Sequence, residues 1–202
     1  MGKSEAEILA NVSNGGASAI ETQEPYQLHV GIEGVAPILF HRWDCDAVEA
    51  KGKAAKNSKA KKSDDLESYV YRDEDGMLCL HGEYLRMSIV AAAKFKQDPR
   101  SPRKSAADLF KAGIVCTTDL ASFGVADWDY VDRRRVTVQR AGITRERPAL
   151  REGWRVEFDF MVLVPEYIDR HLFADVLATA GRLCGVADFR PTFGRFTVSK
   201  FE

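Results

Sequence analysis

From Tyr26 onward, apolar and polar residues alternate: Tyr26, Leu28, Val30 and Ile32 are interleaved with Gln27, His29, Gly31 and Glu33. This two-residue period predicts a half-buried strand. Gly34 and Pro37 interrupt it, and Ile38 to Trp43 follow as an apolar extension. Val70–Arg72 and Met77–Leu80 flank Asp73-Glu74-Asp75-Gly76, a turn sequence between two short strands. Over Glu83–Lys96 the spacing changes, and Tyr84, Met87, Ala91 and Phe95 recur at helical intervals until Asp98-Pro99 and Ser101-Pro102. Ser105 followed by Asp108 resembles a helix-capping box, Gly113 is a stop, and Ile114–Thr118 reads as a strand. A long hairpin is expected next. Val136-Thr137-Val138 rises, the tip holds Gly142 and Pro148, and Arg155–Val164 returns with Val156, Phe158, Phe160, Val162 and Val164 on one face. Ile168–Leu183 is the clearest helix, with Ile168, Leu172, Val176, Ala180 and Leu183 on one stripe and Phe173 and Leu177 widening it. Gly185 ends that helix, and Phe196 to Phe201 alternate as a last strand.

Strand, helix, two strands in a hairpin, helix, strand is the order of an α+β, ferredoxin-like core, the fold of RNA-recognition (RRM-like) modules. One domain is expected over residues 25–202, with a flexible acidic arm over 1–24. The Lys-, Ala- and Ser-rich stretch Lys51–Ser63 has no apolar side chain larger than alanine. It cannot contribute to a core, so a mobile insertion is expected over 51–66, and an arginine-rich hairpin projects over 131–160.

Composition changes this picture little, but charge distribution changes it more. The 202 residues are 45% hydrophobic and 29% charged, ordinary for a globular chain, and the formal net charge of −1 gives no global attraction to a polyanion. Locally the balance differs. Six lysines and no acid fall in 51–62, and eight arginines face Asp132, Glu146 and Glu152 in 131–155. A phosphate backbone responds to such local charge. Cys45, Cys79, Cys116 and Cys184 are widely separated, as free thiols of a reducing compartment would be. The apolar runs are too short for a membrane span, and the N-terminus lacks the apolar segment of a signal peptide, so a soluble cytoplasmic protein is expected.

Three features carry candidate chemistry. Arg133, Arg134 and Arg135 precede a strand, and Arg140, Arg145 and Arg147 surround the expected hairpin tip. Guanidinium groups pair with phosphates and stack on bases, which suits single-stranded RNA or DNA. The competing reading is a solvated hairpin paired with its own acids. Lys56, Lys59, Lys61 and Lys62 would add nonspecific affinity through counterion release, or serve only as a solubilising linker. Near the C-terminus, Phe189, Arg190, Phe193 and Arg195 stand between Gly185 and the last strand. Their rings would stack on bases or on Arg190 and Arg195, or else pack into the core.

A helix followed by Gly185-Val186-Ala187-Asp188-Phe189-Arg190-Pro191-Thr192-Phe193-Gly194-Arg195-Phe196, after an arginine-rich hairpin, resembles small phage and prophage proteins of unassigned function. With the Leu80–Phe95 strand-to-helix segment it also resembles the RAMP superfamily, the RNA-coating backbone subunits of CRISPR effector complexes. That resemblance implies a non-catalytic subunit that binds single strands, associates head to tail with copies of itself and joins other ribonucleoprotein subunits. The phage likeness implies instead a structural, assembly or single-strand DNA-binding protein. No cofactor, nucleotide-loop or metalloprotease motif is present, and His41 and His81 are the residues that a RAMP-type endoribonuclease would use as general base.

Overall fold

The structure is a computed structural model that describes residues 23–53, 65–138 and 141–202. Its centre is an antiparallel sheet of four strands, β1 (Tyr26–Gly34), β7 (Ile114–Cys116), β11 (Arg155–Val162) and β12 (Phe196–Phe201). They stand in the order β12-β1-β11-β7. The alternation read in β1 is realised: Leu28, Val30 and Ile32 lie opposite Phe160, Phe158 and Val156, and all are buried. Helices α2 (Gly82–Ala93), α3 (Ala107–Gly113) and α4 (Arg170–Thr179) supply the rest of the core. Phe173 of α4 is its hub, with its ring against those of Phe110, Phe160 and Phe201. Along the chain the core therefore runs β1, α2–α3, β7, β11, α4, β12.

The remaining elements are excursions from this core. A short strand β2 (Ile38–Leu39) pairs with the end of β10 (Ala141–Leu150), and β10 pairs along its length with β9 (Tyr130–Val138). Strands β3 (Tyr71–Arg72), β4 (Leu78–His81) and β8 (Leu120–Ser122) form a second small sheet, and β5 (Gln97–Asp98) with β6 (Ser101–Ser105) a third. The expected turn at Asp73 is present, with the Asp73 carboxylate accepting from the backbone N–H of Asp75 and Met77.

Several expectations are corrected. The hairpin is β9–β10 and closes at Leu150, whereas 155–162 is a central strand of the main sheet. The continuous inward row Val156, Phe158, Phe160 and Val162 needs a core to cover it, which a projecting arm cannot offer. The two middle core strands are thus β7 and β11, paired with each other, and the hairpin is inserted between them. Helix α4 begins after Asp169, whose carboxylate accepts from Leu172 N–H. It passes into a π-turn over Ala180–Cys184 and ends at Gly185 as expected, with the hydrogen-bond pattern changing after Thr179. Ser105 belongs to β6 and does not cap α3, whose N-cap residue is Ala106. Lys51 to Lys53 end a helix, α1 (Cys45–Lys53), so the start of the expected mobile insertion carries structure, and just past its other end Glu67–Tyr69 is a 3₁₀ turn with Glu67 paired to Arg72. The arm over 1–22 and the segment 54–64 lie outside the described residues.

The open face of the main sheet is polar. His29 donates from Nδ1 to Asp159 and from Nε2 to Glu157, each at 2.7 Å, and Lys200 stands 3.8 Å from Glu157. The Asp159 and Glu157 hydrogen bonds raise the His29 pKa, and the His29 bond lowers that of Glu157. A raised folded-state histidine pKa stabilises fully below the unfolded value of about 6.5, and that stabilisation is lost as pH climbs through the folded value. The thermal midpoint of the wild type should therefore exceed that of His29→Gln most on the acid side of this window. The gap should close as pH rises, as a pair of melting series would show.

Candidate functional site

The segment from Gly185 to Gly194 is a loop tied shut at its neck. Val186 N–H donates to Gly194 O at 2.9 Å, and Gly194 has φ +70° with Val186 O standing where a Cβ would have to go. Glycine is therefore obligatory at that position. The loop is fastened to its surroundings by backbone bonds from Gly194 N to Pro37 O and from Asp188 N to Leu39 O. The buried Ser88 hydroxyl of α2 adds a bond to Gly185 O at 2.7 Å. Ala187 and Phe189 take positive φ within it, which turns the Phe189 side chain outward, 39% exposed.

One face of the β9–β10 ribbon lies against this loop. In the register Asp132 is opposite Arg147, and Arg134 is opposite Arg145, so all four side chains share a face. Arg147 is only 6% exposed and forms an ion pair with Asp188 of the loop. Arg134 is bridged to Asp132 through two nitrogens, and its guanidinium lies 4.9 Å from the Phe189 ring and 4.6 Å from the Phe193 ring. Arg145 donates to His41 Nε2 at 3.0 Å and to the Tyr69 hydroxyl at 3.3 Å. Arginine offers no lone pair, so His41 Nε2 is the acceptor. On the other face, Arg133 and Arg135 are exposed, with Glu146 3.2 Å from Arg133.

Beside the loop opens a bowl of about 120 Å³. Buried Phe40, Cys79 and Leu80 line it, and half-exposed His41, Arg42, Tyr69, Tyr71, Tyr84 and Asp188 stand higher on its wall. Arg42 stacks on Tyr71 at 4.9 Å. Burial pushes the Tyr84 hydroxyl up to about 12 and the Cys79 thiol up to about 11, so both stay protonated at neutral pH. His81 turns away to cap α2 by accepting from Glu83 N–H, with its other nitrogen 3.1 Å from Asp119. Among the described residues, no group of three or more histidine, cysteine or acidic side chains is placed to hold a metal.

No protein-family model matches the sequence, and no curated protein does. The fold does find a likeness. It is similar to a chain in the cryo-EM structure of the Type III-B Cmr-beta bound to cognate target RNA. The TM-score is 0.53 over 99% of this chain and 68% of that one, at 9% sequence identity. At that identity the likeness is one of fold.

The structure thus brings Arg134, Arg145, Arg147, Phe189 and Phe193 into one assembly, with exposed Arg190 and Arg195 on the same loop segment. Arg145 and Arg147 sit along the arm of the ribbon, short of the end where Val138 faces Ala141, rather than around a tip. Phe189 and Phe193 pack on each other edge to face beneath Arg134, not against Arg190 or Arg195, and neither is in the core. Arg140 and Lys56, Lys59, Lys61 and Lys62 lie outside the described residues. Sequence reasoning missed Asp188, Tyr69, Tyr71 and Tyr84, although Asp188 stands inside the glycine-bounded segment that the sequence marks out. Among the described residues, no helix is long and apolar enough to cross a membrane.

Because Arg147 is the buried half of a pair, Arg147→Ala should destabilise the fold by up to about 3 kcal/mol, leaving the Asp188 carboxylate uncompensated. Arg135→Ala, on the exposed face, should stay within about 0.5 kcal/mol of wild type. Urea unfolding of the two variants checks the contrast.

Proposed function

We propose that this chain is a non-catalytic subunit of a ribonucleoprotein that binds single-stranded nucleic acid, RNA in preference to DNA, on a ferredoxin-like core. The order β12-β1-β11-β7, with helices between β1 and β7 and between β11 and β12, supports that core. One observation carries the binding reading: the Arg134 guanidinium lies over an edge-to-face pair of phenyl rings, of which Phe189 is exposed, with Arg190 and Arg195 exposed nearby in sequence and Arg133 and Arg135 exposed on the other face of the ribbon. Rings and guanidinium planes stack on bases of any sequence, and the exposed cations meet phosphates. The open face of the sheet, with Glu157, Asp159 and Glu202 around His29 and Lys200, is unsuited to a polyanion. The strand therefore belongs on the ribbon-and-loop side.

Association of copies along the strand, in the cytoplasm and with other subunits, belongs to the same reading. A bound strand neutralises ribbons whose arginines otherwise repel one another, and a head-to-tail contact extends without closing. The RNA in the structure of similar fold is consistent with this and favours RNA as the strand.

Fluorescence anisotropy with labelled oligouridylate and oligothymidylate of equal length tests it. Binding should weaken with salt. The combined Arg133→Ala, Arg135→Ala and Arg190→Ala variant should lower the salt slope by about 2, at ~0.7 for each phosphate no longer neutralised. Phe193→Ala should cost about 1–3 kcal/mol of affinity. A wild-type protein that binds neither strand at low salt overturns the reading.

A further inference from the structure

The bowl beside the loop is not explained by holding the ribbon in place. Its buried lining is apolar, three tyrosines line it, and its polar groups include an arginine already stacked on a ring and a carboxylate paired with Arg147. We propose that it receives one nucleobase of the bound strand, an amino-bearing base in preference to uracil. This rests on the single-strand reading above and adds where a base is read.

The ligand class follows from the walls. Tyr69, Tyr71 and Tyr84 line it, and aromatic linings attract a flat heterocycle more than a phosphate or an alkyl chain. At about 120 Å³ the bowl is far smaller than the pockets of roughly 300 Å³ and more that enclose drug-sized ligands, so one ring system fits and a dinucleotide does not. Its position is right for a strand, because Asp188 belongs both to the bowl and to the loop that presents Phe189 and Phe193.

The preference follows from Asp188. Its carboxylate is held by Arg147 and can only accept hydrogen bonds. Adenine, cytosine and guanine offer an exocyclic amino group to such an acceptor. Uracil offers a single N–H flanked by two carbonyls, which the carboxylate repels. Arg42 also lines the bowl and carries only donors, which suit a ring nitrogen or carbonyl.

Two measurements on the full chain decide the matter. Saturation-transfer NMR with free adenosine, cytidine and uridine should show transfer to the first two, weaker transfer to uridine, and loss of the signal in Tyr71→Ala. Oligouridylates carrying one central adenosine or cytidine should bind the wild type at least about fivefold more tightly than all-uridine strands, and a central abasic site should bring no gain. The ligand series needs no variant, so it stands if Tyr71→Ala fails to fold. Strand binding that is indifferent to the central base or to its removal, without nucleoside transfer, overturns the base site and leaves the interface intact. Nucleoside transfer without strand binding overturns the interface and leaves the nucleobase assignment. Neither signal overturns both.

Discussion

A guanidinium with almost no access to water holds the carboxylate of Asp188, and most of what is distinctive in this molecule is arranged around that contact. Arg147 comes from the arm of the ribbon and Asp188 from the loop before the last strand, so the pair joins an excursion to the core. Removing two charges from water is expensive, and here the charges are only partly satisfied, since Arg147 Nη1 has no hydrogen-bond partner among the described residues. The Phe189 ring, 5.7 Å from the guanidinium carbon, covers the exposed side of the pair. A contact so costly fixes geometry better than it adds stability. With Asp188 pinned, the two positive-φ residues of the loop have one way to lie, and the rings of Phe189 and Phe193 are presented together.

The core itself is conventional in its physics. Alternating strands bury one face beneath three helices, and that face closes around Phe173. Among the described residues, the other face carries the charged cluster around His29. Most of what points toward a ligand is carried by insertions between core elements: the ribbon between β7 and β11, the short strands with Tyr69 and Tyr71 between β1 and α2, and the loop between α4 and β12, with Tyr84 added from α2 itself.

Much of the core is legible in the sequence because its signals are local. The period of β1, the stripe of α4 and the turn at Asp73 each depend on a few neighbouring residues. What cannot be read there depends on partners far along the chain. Val156 to Val162 reads as a hairpin arm because a strand's alternation does not say which strand it pairs with, and β1 lies more than 120 residues away. Arg147 resembles its neighbours Arg145 and Arg151, since nothing local shows that Asp188 will meet it. Phe189 and Phe193 are recognisable as candidates, but their partner Arg134 comes from the opposite end of the assembly. The tyrosines of the bowl are scattered over sixteen residues and share a wall only once β3, β4 and α2 are in place.

Among the described residues, strand β9 is the outer member of its sheet, and its other backbone edge faces away from β10. An unpaired edge is a template on which other chains can add strands, and charged side chains along it are a common way of preventing that. Exposed Arg133 and Arg135 stand on this edge, next to the exposed apolar Val131. They guard the protein's colloidal behaviour whatever else they touch. Stripping them uncovers a hydrophobic, hydrogen-bond-hungry border, so variants that lose these charges become more prone to aggregate while remaining correctly folded.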